Sequence, residues 1–339
     1  MIQETQDKLP EPTYKHGLKI RIKPTINYKD ITKTKPIEIT SNATLSKEGN
    51  LQDFLTFGDK QYYTDTTNGE IYYITIPENT KQDLHITTTA KEPGRTTINI
   101  TTKKNSHTNL IITHTGDTAY DAETISINAE EGSHLKIILI QKYGEKTHSF
   151  KHCRAKVGKD ASVEWISVLM GSLYTHASFI NVLSAPGAKG TSTVLYLTRN
   201  KQQFDIDTQS IHSNKETYSD IVTKGAVTDY AKALSRGLVR IESNGQGSNG
   251  YEKQDALLLS ETAEADAIPN LEIHNHDVKC SHGSTIGQCD EHQLFYLMSR
   301  GISKEEAIKT LIKGFFNPVL ILLDQPTQEL LEKEITEAL

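Results

Sequence analysis

The densest run of side chains able to bind a metal lies between Pro269 and Tyr296, PNLEIHNHDVKCSHGSTIGQCDEHQLFY. It holds two of the chain's three cysteines, Cys280 and Cys289, and four of its thirteen histidines, His274, His276, His282 and His292. Glu272, Asp277, Asp290 and Glu291 stand among them. Thiolate, imidazole and carboxylate are the donors that hold borderline and soft metals. Cys280 and His282 are the sharpest pair, because positions i and i+2 of a strand face the same side. Glu272 and His274 share a face by the same rule, whereas Asp277 is out of phase with Cys280 unless a turn or bulge intervenes. On residue types alone, a small buried thiol and a satisfied imidazole outweigh a metal site.

The elements that must position these residues can be read around them. The first half of the run alternates like a strand, and the second half opens a helix. Asp290 is placed to cap that helix, and Gln293 to complete a capping box before Leu294 and Phe295. This helix spans about Asp290–Ser299 and stops near Gly301. Ser303 with Glu306 starts a second, expected to run through Lys313 and end at Gly314. A third is expected over Thr327–Leu339.

Upstream, strand-like runs recur at Leu84–Thr87, Thr97–Thr101, Leu110–Thr113, Thr124–Asn128, Leu135–Ile140, Val163–Val168 and Thr193–Leu197. Small-residue turns at Glu131–Ser133, Gly158–Ala161 and Gly187–Gly190 recur at about 26–29 residues, the irregular period of a solenoid. Pattern alone leaves a β-helix and a β-sandwich open. Residues 1 to about 80 read as a small mixed region. It contains an arm over Met1–His16, a strand at Gly17–Lys23, a strand or helical turn at Leu51–Phe57, and a turn at Asp65–Gly69 before a strand at Tyr72–Ile76.

The 339 residues suffice for one large domain or two ordinary ones. Hydrophobic residues make up 36% and mean hydropathy is −0.49, which suits a thin core under much solvated sheet. Threonine alternates with aliphatic residues, as in Thr96–Thr102, and is at home on a half-exposed strand. A net charge of −6 argues against nucleic-acid binding, and the basic run Lys19–Lys23 reads as a solvated strand face. No signal-peptide pattern and no membrane-length apolar run is visible. Three cysteines are too few for a disulfide framework, so free thiols in a reducing cytoplasm are expected.

LEIHNHDVKCSHGSTIGQ and DEHQLFYLMSRGISKEEAIKTLIKGFF closely resemble the C-terminal signature of the SufB/SufD family, scaffold proteins of Suf iron–sulfur cluster assembly. The wording is nearest to SufD and to the archaeal single-scaffold SmsB type. Further landmarks follow in family order: Val163–Trp165, Gly171-Ser172, Gln203–Asp207, Ile211-His212, Ser219–Gly225, Ser235–Val239 and Gln254–Ser260. The resemblance covers roughly residues 120–325.

It implies a mainly β fold: a right-handed parallel β-helix core over 81–285, after a small N-terminal region at 1–80 and before a C-terminal helical domain at 286–339. It also implies a non-enzymatic scaffold that holds a transient Fe–S cluster at a scaffold dimer interface. ATP would enter only through a SufC-like ABC-type ATPase, since no G-x-x-x-x-G-K-[ST] loop is present. Cys280 and His282 become the expected metal ligands. SufB carries a glutamate after its histidine where this chain has Gly283. Glu272 and Asp277 are then the expected carboxylate donors.

Cys153 reads first as core and second as a sulfur relay. Its neighbour His152 must face the opposite side of the strand. Phe295, Tyr296, Arg300 and Phe315 read first as helix packing and second as an ATPase-docking surface. Expected partners are that ATPase, a second copy or a SufB-like chain, and apo Fe–S proteins as acceptors, with no nucleic acid and no membrane. The alternative is a SufD-like structural partner that carries no cluster itself. A carbohydrate-active β-helix enzyme fits poorly with a single Trp165 and no leader, and zinc binding lacks the C-x₂-C framework.

Overall fold

The computed structural model describes residues 38–41, 46–47 and 70–337. The elements expected at Met1–His16, Gly17–Lys23, Leu51–Phe57 and Asp65–Gly69 lie outside the described residues. The chain winds into a parallel β-solenoid that passes alternately between two sheets. One sheet contains β1 (Glu38–Ser41), β3 (Lys81–Ala90), β5 (His107–Gly116), β7 (His134–Tyr143), β9 (Ser162–Gly171), β11 (Lys189–Thr198), β13 (Tyr218–Val227), β15 (Asn249–Leu258) and β17 (Lys279–Gln288). The other contains β2 (Glu70–Ile76), β4 (Gly94–Thr102), β6 (Tyr120–Ala129), β8 (His148–Val157), β10 (Tyr174–Leu183), β12 (Gln203–His212), β14 (Lys232–Ile241) and β16 (Glu264–Ile273).

Every pairing is parallel and in register except β1 against β3, which is antiparallel. One coil takes 26 residues where Lys81 lies beside His107, and 32 where Lys232 lies beside Glu264. All seven strand runs expected between Leu84 and Leu197 fall inside these strands, and Tyr72–Ile76 falls in β2.

In-register stacking lays like on like. Side chains alternate across each strand, so the inward rows of successive coils form continuous columns. Ile98, Ile100, Ile125, Ile127, Ile137, Leu139, Trp165, Phe179, Phe204 and Ile206 belong to one buried interior cluster. The coils turn on a repeated conformation. Two residues before each of β3, β5, β7, β9, β11, β13 and β15 stands a left-handed residue: Asn79, Asn105, Gly132, Asp160, Gly187, Glu216 and Gly247, with φ between 53° and 73°. That geometry turns each backbone N–H toward the next coil. Asn105 donates to Glu131 O, Gly132 to Lys159 O, Asp160 to Pro186 O, Glu216 to Gln246 O and Gly247 to Asp277 O.

The interior is not wholly apolar. Lys151, fully buried on β8, lies 3.2 Å from Glu123 Oε2 and 3.7 Å from Asp121 Oδ2. Tyr143 donates its hydroxyl to Asp121, and His114 lies 3.1 Å from Glu123. Burial, partly offset by the Lys151 charge, pushes the Glu123 carboxyl up to about 7. These charges are inward and paired, as burial requires.

Three helices follow: α1 (Glu291–Ser299), α2 (Lys304–Leu320) and α3 (Gln325–Glu337). Asp290 caps α1 by accepting from His292 N and Gln293 N, and Ser303 caps α2 by accepting from Glu306 N. Gly301, at φ 88°, stops α1. The second helix does not end at Gly314 but runs to Leu320, with Pro318 inside it. Its apolar face continues past the glycine. Ile312, Phe316, Val319 and Leu320 are buried against Ile138, Ile140, Ile166, Val168, Leu195 and Leu197 on the outer face of the β1–β17 sheet. Burying each such side chain contributes about 1.5–3 kcal/mol, more than the roughly 1 kcal/mol cost of an interior glycine. Among the described residues, no helix is long and apolar enough to cross a membrane.

Candidate functional site

The metal-ligand run occupies the last coil. Pro269–Ile273 completes β16, residues 274–278 turn, Lys279–Gln288 forms β17, and Asp290 opens the helical tail. The turn is fixed by Asn275, whose side chain accepts from Asp277 N and donates to Ser243 O. Among the described residues, no strand pairs with the outer edge of β16 or β17. The inward faces of both strands are therefore only half covered, and both sheets end on unpaired backbone groups.

Cys280 and His282 are held by register. Cys280 pairs with Gly250 and His282 with Glu252 on β15. Gly250, Glu252 and Gln254 are the buried, inward-facing positions of β15, so Cys280, His282 and Ser284 share that inward face. Cys280 is half-buried and packs against Ile221, Val239 and Ile241. The structure thus brings the expected pair together. Burial, reinforced by the Glu252 charge beneath it, pushes the Cys280 thiol up to about 11. A free thiolate is disfavoured there, and a bound cation would be needed to stabilise it.

The two expected carboxylates do not join the pair. Glu272 lies on β16, in the opposite sheet, where Arg240 Nε donates to its Oε2 at 2.5 Å. Asp277 lies in the turn and accepts from Gln246 Nε2 at 3.2 Å. The carboxylate under His282 is instead Glu252, which the residue reading missed. It is fully buried and accepts from Gln254 Nε2 and from the Asn270 backbone N–H. Burial pushes its carboxyl up to about 7. The signal for it was present: Glu252 is in period-2 phase with Gln254, and it precedes His282 by one coil. Reading it needed the coil length.

The other candidates separate cleanly. Cys289 is half-buried beside the helix cap, and burial raises its thiol. Cys153 sits in the interior core at 0% exposure, its thiol held well above the usual range by burial. Phe179 occupies the next coil directly above it. His152 faces the other side, with its ring 5.4 Å from that of His176. His212 is a satisfied interior histidine, bonded to Thr217 Oγ1 at 2.7 Å and Ser219 Oγ at 2.8 Å. Arg236 pairs with Asp205 at 2.6 Å.

The tail residues divide. Phe316 is core and Phe315 packs half-buried against the sheet under Lys224 Nζ, 4.3 Å from its ring. Phe295 and Tyr296, read first as packing residues, are 73% and 56% exposed, with Arg300 lying 5.3 Å from the Tyr296 ring. Helix α1 buries none of its residues.

Among the described residues, no three donors converge on one point. A single chain therefore offers an incomplete, half-open set of thiolate and imidazole donors.

Residues 84–315 match the family model described as SUF system FeS cluster assembly, SufBD core domain. An iron–sulfur cluster assembly SufBD family protein of Staphylococcus saprophyticus is 30% identical over 194 residues, 57% of this chain and 42% of the relative. Relatives of the same description in Staphylococcus epidermidis and Staphylococcus aureus match to the same extent. The match spans less than half the length of these relatives. The solenoid, the register of its last coil and the span of the family match together make this chain a member of the SufBD family of iron–sulfur cluster assembly proteins.

Proposed function

We propose that the chain is a scaffold on which a nascent Fe–S cluster forms at the open end of the solenoid, between Cys280 and His282 of two scaffold chains. The observation that carries this reading is the half-covered last coil. It presents a thiol and an imidazole on one inward face, beside two sheet edges with nothing paired to them among the described residues. A second copy, or a SufB-like chain, seated on those edges would supply the missing donors and enclose the cluster. Mixed ligation of this kind leaves a cluster labile enough to pass to apo Fe–S proteins. The exposed aromatic face of α1, with Phe295, Tyr296 and Arg300, is the docking surface for a SufC-like ATPase, and Phe315 supports it from the sheet side. ATP acts only through that partner, and cluster assembly takes place in the cytoplasm.

The test is anaerobic reconstitution of the protein co-purified with its ATPase, read by visible absorption and by iron and sulfide content. Near-equal iron and sulfide, lost in both Cys280→Ala and His282→Ala, is the expected result. A colourless complex that still assembles would make the chain a SufD-like structural partner.

A further inference from the structure

We propose that the outer face of the β1–β17 sheet carries an oxyanion site, a cleft across β3, β5, β7 and β9 that takes a phosphate or sulfate group. It lies on the early coils and faces outward. It is therefore separate from the inward Cys280–His282 pair and stands whether or not the scaffold reading does.

The site is built by register. Lys81, His107, His134, Ser162 and Lys189 are successive partners at the starts of β3, β5, β7, β9 and β11. Neighbouring strands are about 4.8 Å apart, so these side chains form one short column. Leu135, next to His134, belongs to the interior cluster, so the column faces outward. Two residues further along the same face stand Asn109, Lys136 and Glu164.

These residues line a cleft of about 290 Å³. Its lining sets two lysines, Lys81 and Lys136, and two imidazoles, His107 and His134, against one carboxylate, Glu164. The chain as a whole carries a net charge of −6, so this is a local excess of positive charge. Asp83, on the edge of the cleft, accepts from Asn109 Nδ2 at 2.7 Å. Lys136 donates to Leu322 O at 2.6 Å, which holds the lysine in place without neutralising it.

The two imidazoles are stacked, with ring centroids 4.6 Å apart. Ser162 Oγ lies 2.7 Å from His134 Nδ1 and fixes that ring. Burial and the charges of His107 and Lys189 lower the His134 pKa. Stacked imidazoles beside lysines repel one another once protonated. A dianion set against them offsets that repulsion and turns their N–H groups into charge-assisted donors. A metal ion is the other ligand that paired imidazoles suit, but among the described residues no group of three His, Cys, Asp or Glu side chains gathers to hold one. A second cleft, of about 450 Å³, shares Asn109 and Lys136 and is walled by Ile111, Ile138, Leu322 and Leu323. It offers room for the apolar part of a phosphate ester.

The experiment is isothermal titration calorimetry of the full-length protein at constant ionic strength with sulfate, inorganic phosphate and phenyl phosphate. Sulfate keeps its charge from pH 6 to pH 8. It is expected to bind more tightly at pH 6, because a bound anion favours the protonated imidazoles. Lys81→Ala should raise the sulfate Kd about tenfold, the scale of one charge-assisted hydrogen bond. The double variant His107→Gln, His134→Gln should weaken binding and remove its pH dependence, and Glu164→Gln should tighten it. Lys81, His107 and His134 are exposed, so these variants keep the fold. Phenyl phosphate binding tighter than inorganic phosphate would assign a phosphate ester, and equal affinity a free oxyanion. Absence of saturable binding by all three probes, or a Kd that none of these substitutions changes, overturns the site.

Discussion

His212 is enclosed by hydroxyls on both ring nitrogens and is fully buried. Burial drives its pKa down to about 4, so the native state holds it neutral while an unfolded chain titrates it near 6.5. The native state thus binds the proton more weakly. Its contribution to stability is fully present above pH 6.5 and is lost as pH falls through about 4. The gap between those values corresponds to about 3 kcal/mol at 1.36 kcal/mol per unit. Urea unfolding of wild type and His212→Gln should therefore show the variant less stable at pH 7.5, with the difference shrinking by roughly that amount towards pH 4. A difference that stays constant with pH would mean that folding leaves the His212 pKa unchanged. Cys280 and His282 were legible in the sequence because a strand's period alone puts them on one face. Glu252 was not, because its relation to His282 exists only through the stacking of coils. Glu272 and Asp277 looked nearest along the chain but belong to the opposite sheet and to a turn.

At the scale of the element, the coil turns reuse one left-handed residue, and the side chains found there differ in how well they tolerate it. Glycine and asparagine adopt φ near +55° readily; glutamate does not. Glu216, at φ 56°, holds the conformation because its N–H donates to Gln246 O in the next coil at 2.8 Å. Glu216→Gly keeps that bond and removes roughly 1–2 kcal/mol of left-handed strain, against about 0.5–1 kcal/mol of added unfolded-state entropy. A net gain of about 0.5–1 kcal/mol is expected in thermal or denaturant melts; a loss would show that the Glu216 side chain contributes to packing.

The same stacking explains which strands could be read directly. Those with alternating Thr and Ile, such as β4 and β6, match a half-buried strand. Strand β8, HSFKHCRAKV, carries Lys151 inward beside Cys153 and Ala155, and its inward charge is satisfied only by Glu123 and Asp121 from the preceding coil. No local pattern reveals a strand whose inward lysine is paired 28 residues away.

For the whole molecule, the two ends of the solenoid differ. At the first, β1 runs antiparallel along β3 and covers that edge. At the other, β16 and β17 leave their outer edges unpaired among the described residues. Ile273 at 40% and Ile286 at 39% exposure stand on those two strands. A long uncovered edge bearing apolar side chains pairs readily with another chain. Two copies meeting edge to edge would extend both sheets and bring the two Cys280–His282 faces together. Placing a lysine on each strand sets four like charges against one another in the paired form and two in the free one. Ile273→Lys with Ile286→Lys should therefore convert a sedimenting dimer to monomer, while circular dichroism stays unchanged because both positions lie at the surface. Reconstituted iron should fall in parallel, since each monomer keeps only half of the donors. A wild-type protein that sediments as a monomer at all concentrations would instead assign the open end to a different chain, and mixing with a SufB-like scaffold would then be required before iron is retained.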